Sequence, residues 1–128
     1  MFNRSGFMLN LSWQRYISMC HRLVLQIEEQ FVSYQYIYAI PRGGLIVGTI
    51  LSHRLGVPMI SKYENVSPCD ILVVDDLVDT GKTLKPYDKL GSDIAVLFTK
   101  PWAIVRPRYF ITTTKMWVRY PYETAEDK

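Results

Sequence analysis

The chain has 128 residues, 48% of them hydrophobic and 21% charged, with 15 Lys and Arg against 12 Asp and Glu. This size fits a single domain, residues 1–128, and the composition excludes a disordered chain. The net charge of +3 permits anion binding but does not by itself indicate nucleic-acid binding. No apolar run approaches the length of a membrane span, no secretory signal is visible, and Cys20 and Cys69 are too few for a disulfide scaffold. We therefore expect a cytoplasmic protein with reduced thiols.

Two helices and two strands are predicted in the first half of the chain. Helical spacing of apolar residues predicts the first helix, with Asn10 or Ser12 as its N-cap. Gly56 stands where a glycine commonly ends a helix. In chain order the predicted elements are a helix over 11–31, a strand over 36–40, a helix over 45–55 and a candidate strand over 58–61.

The second half continues the alternation. Its predicted elements are strands over 71–74, 94–98 and 109–112 and a short helix over 83–90. Such alternation is typical of an α/β fold with a mostly parallel sheet flanked by helices. Ligands of these sheets bind at the carboxyl ends of the strands, where loops 41–44 and 75–83 are expected to lie.

The loop over residues 75–83 carries the most specific chemistry. Asp75 and Asp76 directly follow a buried strand, and the sequence Thr80-Gly81-Lys82-Thr83 opens the next helix. A helix start offers free backbone N–H groups to a phosphate, and the hydroxyls and the lysine add further donors. The acidic pair suits sugar hydroxyls or a divalent cation held jointly with phosphates. Together these features indicate a phosphorylated sugar.

This loop has two alternative interpretations. A P-loop needs a glycine five positions before Gly81, but Asp76 stands there, so that motif is excluded. A simple helix cap by Asp79 or Thr80 would explain residues 79–83. It leaves the acidic pair unexplained, because adjacent carboxylates at a buried strand end cost desolvation without a partner.

The motif of a hydrophobic strand, Asp-Asp, two apolar residues, any residue, Thr-Gly, any residue and Thr resembles that of the type I phosphoribosyltransferases. Within that family the chain is most similar to the bacterial enzymes that act on xanthine and guanine, up to residue 123. The supporting matches are Arg42-Gly43-Gly44-Leu45, Lys100-Pro101 and Trp117-Val118. The resemblance implies one Rossmann-like domain with a small hood over the base, assembled into a dimer or tetramer.

The resemblance also implies an activity. It is the Mg²⁺-dependent transfer of ribose 5-phosphate from phosphoribosyl pyrophosphate to a 6-oxopurine (guanine, xanthine or hypoxanthine), a purine-salvage reaction that releases pyrophosphate. The implied contacts are Asp75 and Asp76 with the ribose hydroxyls and Mg²⁺; Thr80, Gly81, Lys82 and Thr83 with the 5-phosphate; Arg42 and Gly43 with pyrophosphate and its magnesium; Asp79 with the proton of purine N7; Lys100 with the 6-oxo group; Trp117 with the purine ring; and the Val118 backbone with the edge of the base. The family often has a cis peptide at the position of Pro41–Arg42.

Single residues have simpler interpretations. Arg42 could be a surface arginine, Lys100 a strand-end lysine and Trp117 a core residue. The stretch 100–119 is basic and contains no acid, as a solvated face or an anion-attracting rim would. A nucleic-acid-binding adaptation of the fold, using this stretch, is the weakest hypothesis.

The chain departs from the family pattern before the Asp-Asp strand. The family normally inserts a long mobile loop there, which closes over the reacting centre. Here the sequence Ser61-Lys62-Tyr63 corresponds to its start, and only residues 64–70 follow before the strand. Because a lid excludes water and completes a site, its shortening favours an alternative function. That alternative is a non-catalytic regulator that binds phosphoribosyl pyrophosphate or a nucleotide. Lys82 is a second departure, since close relatives have a small residue there.

Overall fold

The computed structural model describes residues 8–124, in which helices and strands alternate up to the strand Ile71–Val74 and four strands follow the last helix. The elements are β1 (Met8–Asn10), α1 (Trp13–Glu29), β2 (Tyr36–Ala39), α2 (Gly44–Leu55), β3 (Met59–Ile60), a 3-10 turn (Pro68–Asp70), β4 (Ile71–Val74), β5 (Leu77–Val78), α3 (Lys85–Leu90), β6 (Asp93–Ala95), β7 (Phe98–Thr99), β8 (Thr112–Thr113) and β9 (Trp117–Arg119). Among these residues no helix is both long and apolar enough to cross a bilayer.

The strands form three parallel sheets in the described part of the chain. The central sheet has the order β3-β2-β4-β6, a smaller one has the order β5-β7-β8, and β1 pairs with β9. Helix α2 lies against β2 and β4 and also contacts α1. The predicted α/β fold with a mostly parallel sheet is confirmed.

Strand β4 lies inside the central sheet, between β2 and β6, and all four of its residues are fully buried. Leu72 and Val74 face a core cluster that includes Leu23 of α1 and Val47 of α2. Ile71 and Val73 face the opposite cluster, beside α3. Burial on both faces explains why this strand is a continuous apolar run rather than an alternating one. Because the strand ends at Val74, Asp75 and Asp76 lie at the carboxyl end of the sheet.

The helix ends follow local chemistry. The Ser12 hydroxyl accepts a hydrogen bond from the Arg15 amide at 3.1 Å, which confirms it as the N-cap of α1. Gly56 ends α2 with φ 68°, as predicted. Helix α1 stops at Glu29, two residues before the predicted end, and Phe31 is 93% exposed with φ 55°. Phe31 therefore does not belong to the buried helical face.

Three predicted elements differ from the structure. The strand over 94–98 is two strands in two sheets, because the Leu97 and Phe98 amides turn to the Asp76 carbonyl at 3.2 and 3.3 Å. The strand over 109–112 is reduced to one bridge, between Ala95 and Tyr109, and to β8. Helix α3 begins at Lys85 rather than at residue 83, with a proline in its first turn.

The short connection before β4 is fastened to the body of the protein. The Tyr63 ring packs edge-on against Tyr87 of α3, with centroids 4.7 Å apart. The Tyr63 and Ser92 hydroxyls are 2.6 Å apart, and Ser92 also donates to the Pro68 carbonyl at 2.6 Å. Residues 61–70 thus pack beside α3, as a shortened loop does, and do not form a long lid.

A network of hydrogen-bonded hydroxyls at the amino ends of β2 and β6 is expected to stabilise the fold. Tyr34, which is buried, donates to the Asp93 carboxylate at 2.5 Å and lies 2.7 Å from the Tyr109 hydroxyl. Tyr34→Phe is expected to lower the free energy of unfolding by about 1–3 kcal/mol, because it removes a bond to a charged group. Urea unfolding measures this. Tyr36→Phe is the matched control, and an equal loss in both variants would contradict the network's role.

Candidate functional site

The acidic pair lies at the carboxyl end of β4, in a partly buried position. The Asp76 amide donates to a carboxylate oxygen of Asp75 at 2.8 Å. Burial, reinforced by the charge of Asp76, raises the pKa of Asp75 from 3.8 to about 8. Burial also raises the pKa of Asp76. Two carboxylates held this close favour the binding of a cation or of hydroxyl donors, either of which offsets their repulsion.

The loop over residues 41–44 packs directly against this pair. The Pro41–Arg42 peptide is cis, as predicted. A Cβ on Gly43 would stand 2.1 Å from a carboxylate oxygen of Asp76, and one on Gly44 would stand 2.6 Å from the Val74 carbonyl. The two glycines therefore permit the close approach of the predicted pyrophosphate loop to the predicted sugar site.

Gly43→Ala tests this approach. The added methyl is expected to push the Asp76 carboxylate aside, because a 2.1 Å contact is impossible. We expect about a tenfold or greater loss of affinity for a phosphorylated sugar ligand, equivalent to about one lost charge-assisted hydrogen bond. Calorimetric titration measures the affinity, and thermal unfolding serves as the control for folding. Unchanged affinity would contradict the packing argument.

The predicted phosphate loop lines a small cavity of about 110 Å³, bounded by residues 77–84 and Asp75. Gly81 has φ 95° and lies against the backbone of Val105, and the Ile104 amide donates to the Thr80 carbonyl at 2.8 Å. Asp79, Thr80, Lys82 and Thr83 are exposed around it. Because α3 begins only at Lys85, residues 81–84 are a turn, and the loop itself rather than a helix end presents its groups.

Asp79 has a hydrogen-bond partner, Trp102, that the sequence pattern does not predict. The indole N–H of Trp102 donates to its carboxylate at 3.0 Å. The ammonium of Lys100 lies 5.7 Å from the centroid of the same indole ring. Trp102 therefore connects the predicted proton carrier to the predicted reader of the 6-oxo group. Its position two residues after Lys100 was the available sequence signal.

Lys100 is 7% exposed, and its ammonium donates to the Met116 carbonyl. Burial lowers its pKa, and the charge of Asp79 opposes that shift. The bond to Met116 brings Lys100 beside the residue that precedes Trp117. Lys100 also lines a cavity of about 350 Å³.

Trp117 and Val118 belong to β9, which pairs with β1. Trp117 is partly buried, whereas the Val118 side chain is 4% exposed. The contact implied for the Val118 backbone stays a prediction.

Two tyrosines from the end of the described chain also reach the acidic pair. The Tyr120 hydroxyl donates to the backbone carbonyl of Asp76 at 2.8 Å. The Tyr122 hydroxyl lies 3.3 Å from the Gly43 carbonyl and 3.4 Å from a carboxylate oxygen of Asp76. Tyr122 and Arg42 line a cavity of about 500 Å³ beside the pair. The spacing of Tyr120 and Tyr122 in the sequence does not predict that both contact Asp76.

The donor set limits what metal the site can hold. The described residues contain no group of three or more Asp, Glu, His or Cys suited to a metal. Mg²⁺ is commonly held by one or two carboxylates together with substrate phosphates. Asp75 and Asp76 thus fit a magnesium ion that arrives with a phosphorylated ligand, and they do not form a complete protein cage.

Comparison with known proteins identifies the relatives of this chain. It is 31% identical to the purine phosphoribosyltransferase of Pyrococcus horikoshii Ot3, with a TM-score of 0.79 over 92% of this chain and 95% of that one. The xanthine-guanine-hypoxanthine phosphoribosyltransferase of Helicobacter pylori shares the fold at 19% identity, with a TM-score of 0.78 over 94% and 96% of the two chains.

A third relative is xanthine-guanine phosphoribosyltransferase of Vibrio atlanticus (strain LGP32). It is 28% identical over an alignment 139 positions long, gaps included, which covers 90% of this chain and 88% of that protein. No family model matches the chain. The motif residues, the parallel α/β fold and these relatives agree: the chain belongs to the type I phosphoribosyltransferase family.

Proposed function

We propose that the protein is a purine phosphoribosyltransferase specific for 6-oxopurines. It transfers ribose 5-phosphate from phosphoribosyl pyrophosphate to guanine, xanthine or hypoxanthine and releases pyrophosphate. The observation that carries this proposal is the meeting of loop 41–44 with the acidic pair, whose first member also lines the cavity of the phosphate loop. The names of the relatives support the purine substrate.

In this proposal one substrate spans the three segments. The loop over 80–83 binds the 5-phosphate, and Asp75 and Asp76 bind the ribose hydroxyls. Arg42 and Gly43 bind the pyrophosphate group. Magnesium, when bound with the pyrophosphate, would neutralise the charge of the leaving group, and the acidic pair would contribute its protein ligands.

The base is bound on the other side of the reacting carbon. Lys100 donates to the 6-oxo group, Trp117 stacks on the ring and the Val118 backbone meets its edge. The bond between ribose C1 and the pyrophosphate oxygen breaks, and its electrons leave with pyrophosphate. A new bond forms between C1 and purine N9, and the N7 proton passes to the Asp79 carboxylate. Catalysis then depends mainly on positioning and on stabilisation of the leaving group.

Pyrophosphate release is the test of this proposal. The purified chain is incubated with phosphoribosyl pyrophosphate, MgCl₂ and each of guanine, xanthine and hypoxanthine. Adenine is the matched control, because its 6-amino group offers Lys100 no acceptor. Release with at least one 6-oxopurine and none with adenine is expected, and release with adenine alone would contradict the assigned specificity. Omission of MgCl₂ is expected to abolish release.

The packed connection over residues 61–70 favours the second candidate, a non-catalytic regulator that binds phosphoribosyl pyrophosphate or a nucleotide. Tyr63 fastens this segment beside α3, where it cannot fold over the site as a long lid does. The two functions separate in one comparison. Clear calorimetric binding of phosphoribosyl pyrophosphate without product from any purine would favour the regulator over the enzyme.

A further inference from the structure

The turn over residues 120–123 lies against the acidic pair, and two hydrogen bonds join its first and last residues. The Tyr120 amide donates to a carboxylate oxygen of Glu123 at 2.9 Å, and the Glu123 amide donates to the Tyr120 carbonyl at 3.0 Å. These two bonds fix the turn locally. The turn directly follows β9, whose pairing with β1 and the bond from the Leu11 amide to the Arg119 carbonyl at 2.9 Å fix where it begins.

The ring of Tyr122 is held on several sides by other aromatic rings. It stacks on Tyr120 with centroids 5.5 Å apart and an angle of 10° between the planes. It packs edge-on against Tyr16 of α1 at 5.6 Å and lies 6.0 Å from Trp13. A ring with such neighbours has little rotational freedom, so its hydroxyl is delivered to one place.

That place lies between the two loops of the site. The hydroxyl is 3.3 Å from the Gly43 carbonyl, in the predicted pyrophosphate loop, and 3.4 Å from a carboxylate oxygen of Asp76, in the predicted sugar site. The single O–H of Tyr122 is therefore within reach of two acceptors that come from distant parts of the sequence, and it can donate to either of them. The Tyr120 hydroxyl also holds Asp76, because it donates to the backbone carbonyl of Asp76 at 2.8 Å.

We propose that Tyr122 is a positioning residue that holds the Asp76 carboxylate and the Gly43 loop in a fixed relation. The sugar hydroxyls and the pyrophosphate group of one substrate would then meet correctly spaced partners. This inference rests on the proposed function, because it assigns the two loops to the two ends of phosphoribosyl pyrophosphate. Residues 61–70 pack beside α3 and do not cover the site. Tyr122 and Glu123 of the turn instead line the cavity beside Asp76.

Tyr122→Phe tests this proposal, because it keeps the ring and removes the hydroxyl. We expect KM for phosphoribosyl pyrophosphate and the calorimetric Kd for magnesium pyrophosphate to rise about three- to tenfold. KM for the purine and the melting temperature are expected to stay close to the wild-type values.

Tyr36→Phe is the matched control, since it removes a hydroxyl outside the site. If Tyr122→Phe weakens purine and phosphoribosyl pyrophosphate equally, or leaves both unchanged, the positioning role is wrong. Failure of the proposed function is distinguishable, because wild-type protein would then give no product with any purine. In that case the pyrophosphate titration still decides the role of Tyr122: weaker binding by Tyr122→Phe supports it, and unchanged binding overturns it.

Discussion

Asp75→Asn is expected to stabilise the folded protein at high pH while it weakens the binding of phosphoribosyl pyrophosphate. Burial raises the pKa of Asp75 from 3.8 to about 8, so the folded state keeps a proton that the unfolded chain has released. The free energy of unfolding of the wild type therefore falls as pH rises from about 4 to about 8. Asparagine has no such proton to lose. Its carbonyl oxygen can still accept the bond that the Asp76 amide makes to Asp75.

Urea unfolding at pH 5, 7 and 9 measures this effect. The stability advantage of Asp75→Asn is expected to grow from pH 5 to pH 9, whereas Asp88→Asn, at an exposed position of α3, serves as the matched control. At pH 9, where Asp75 is ionised, affinity for phosphoribosyl pyrophosphate is expected to fall about tenfold to a hundredfold, because a bond from a sugar hydroxyl to a carboxylate is replaced by a neutral one. A stability difference that does not vary with pH would contradict the burial of this charge.

The sequence was sufficient to predict the part of the site that is local in the chain. The run Ile71-Leu72-Val73-Val74 is apolar because it is buried on both faces, and the acidic pair at its end had no structural explanation. The expected fold class followed from the alternation of such runs with helical patterns. Gly43 and Gly44 entered the prediction as part of the motif match in loop 41–44, and the structure adds the reason for them: a side chain on Gly43 would collide with the Asp76 carboxylate.

The parts that were missed depend on contacts between distant segments. The strand over 94–98 is apolar throughout, and no residue within it marks the point where its amides turn to the Asp76 carbonyl. The pairing of β1 with β9 joins the two ends of the described chain, and no local pattern encodes it. Trp102 and Tyr122 contact Asp79 and Asp76 through tertiary structure alone. In each case the chemistry of the residue was readable, but its partner was not.

The part that remains a prediction is the set of ligand contacts. Trp102 links two loops of the candidate site. It donates a hydrogen bond to Asp79, and its ring contacts the ammonium of Lys100. Lys100 is bonded to the Met116 carbonyl, so a purine must compete for its ammonium or share it. The proton transfer assigned to Asp79 is the step of the proposed reaction that a single substitution can isolate.

Asp79→Asn is expected to reduce kcat about 10²- to 10⁴-fold while KM for phosphoribosyl pyrophosphate stays nearly unchanged. The amide cannot take the N7 proton, but its oxygen can still accept the bond from Trp102, so the loop geometry should survive. Trp102→Phe provides the matched comparison, because it removes the donor and keeps the carboxylate; its loss of kcat is expected to be smaller. Single-turnover measurements with guanine separate the chemical step from product release. If Asp79→Asn turns over at the wild-type rate, the proton must pass to another group, and the role proposed for Asp79 is wrong.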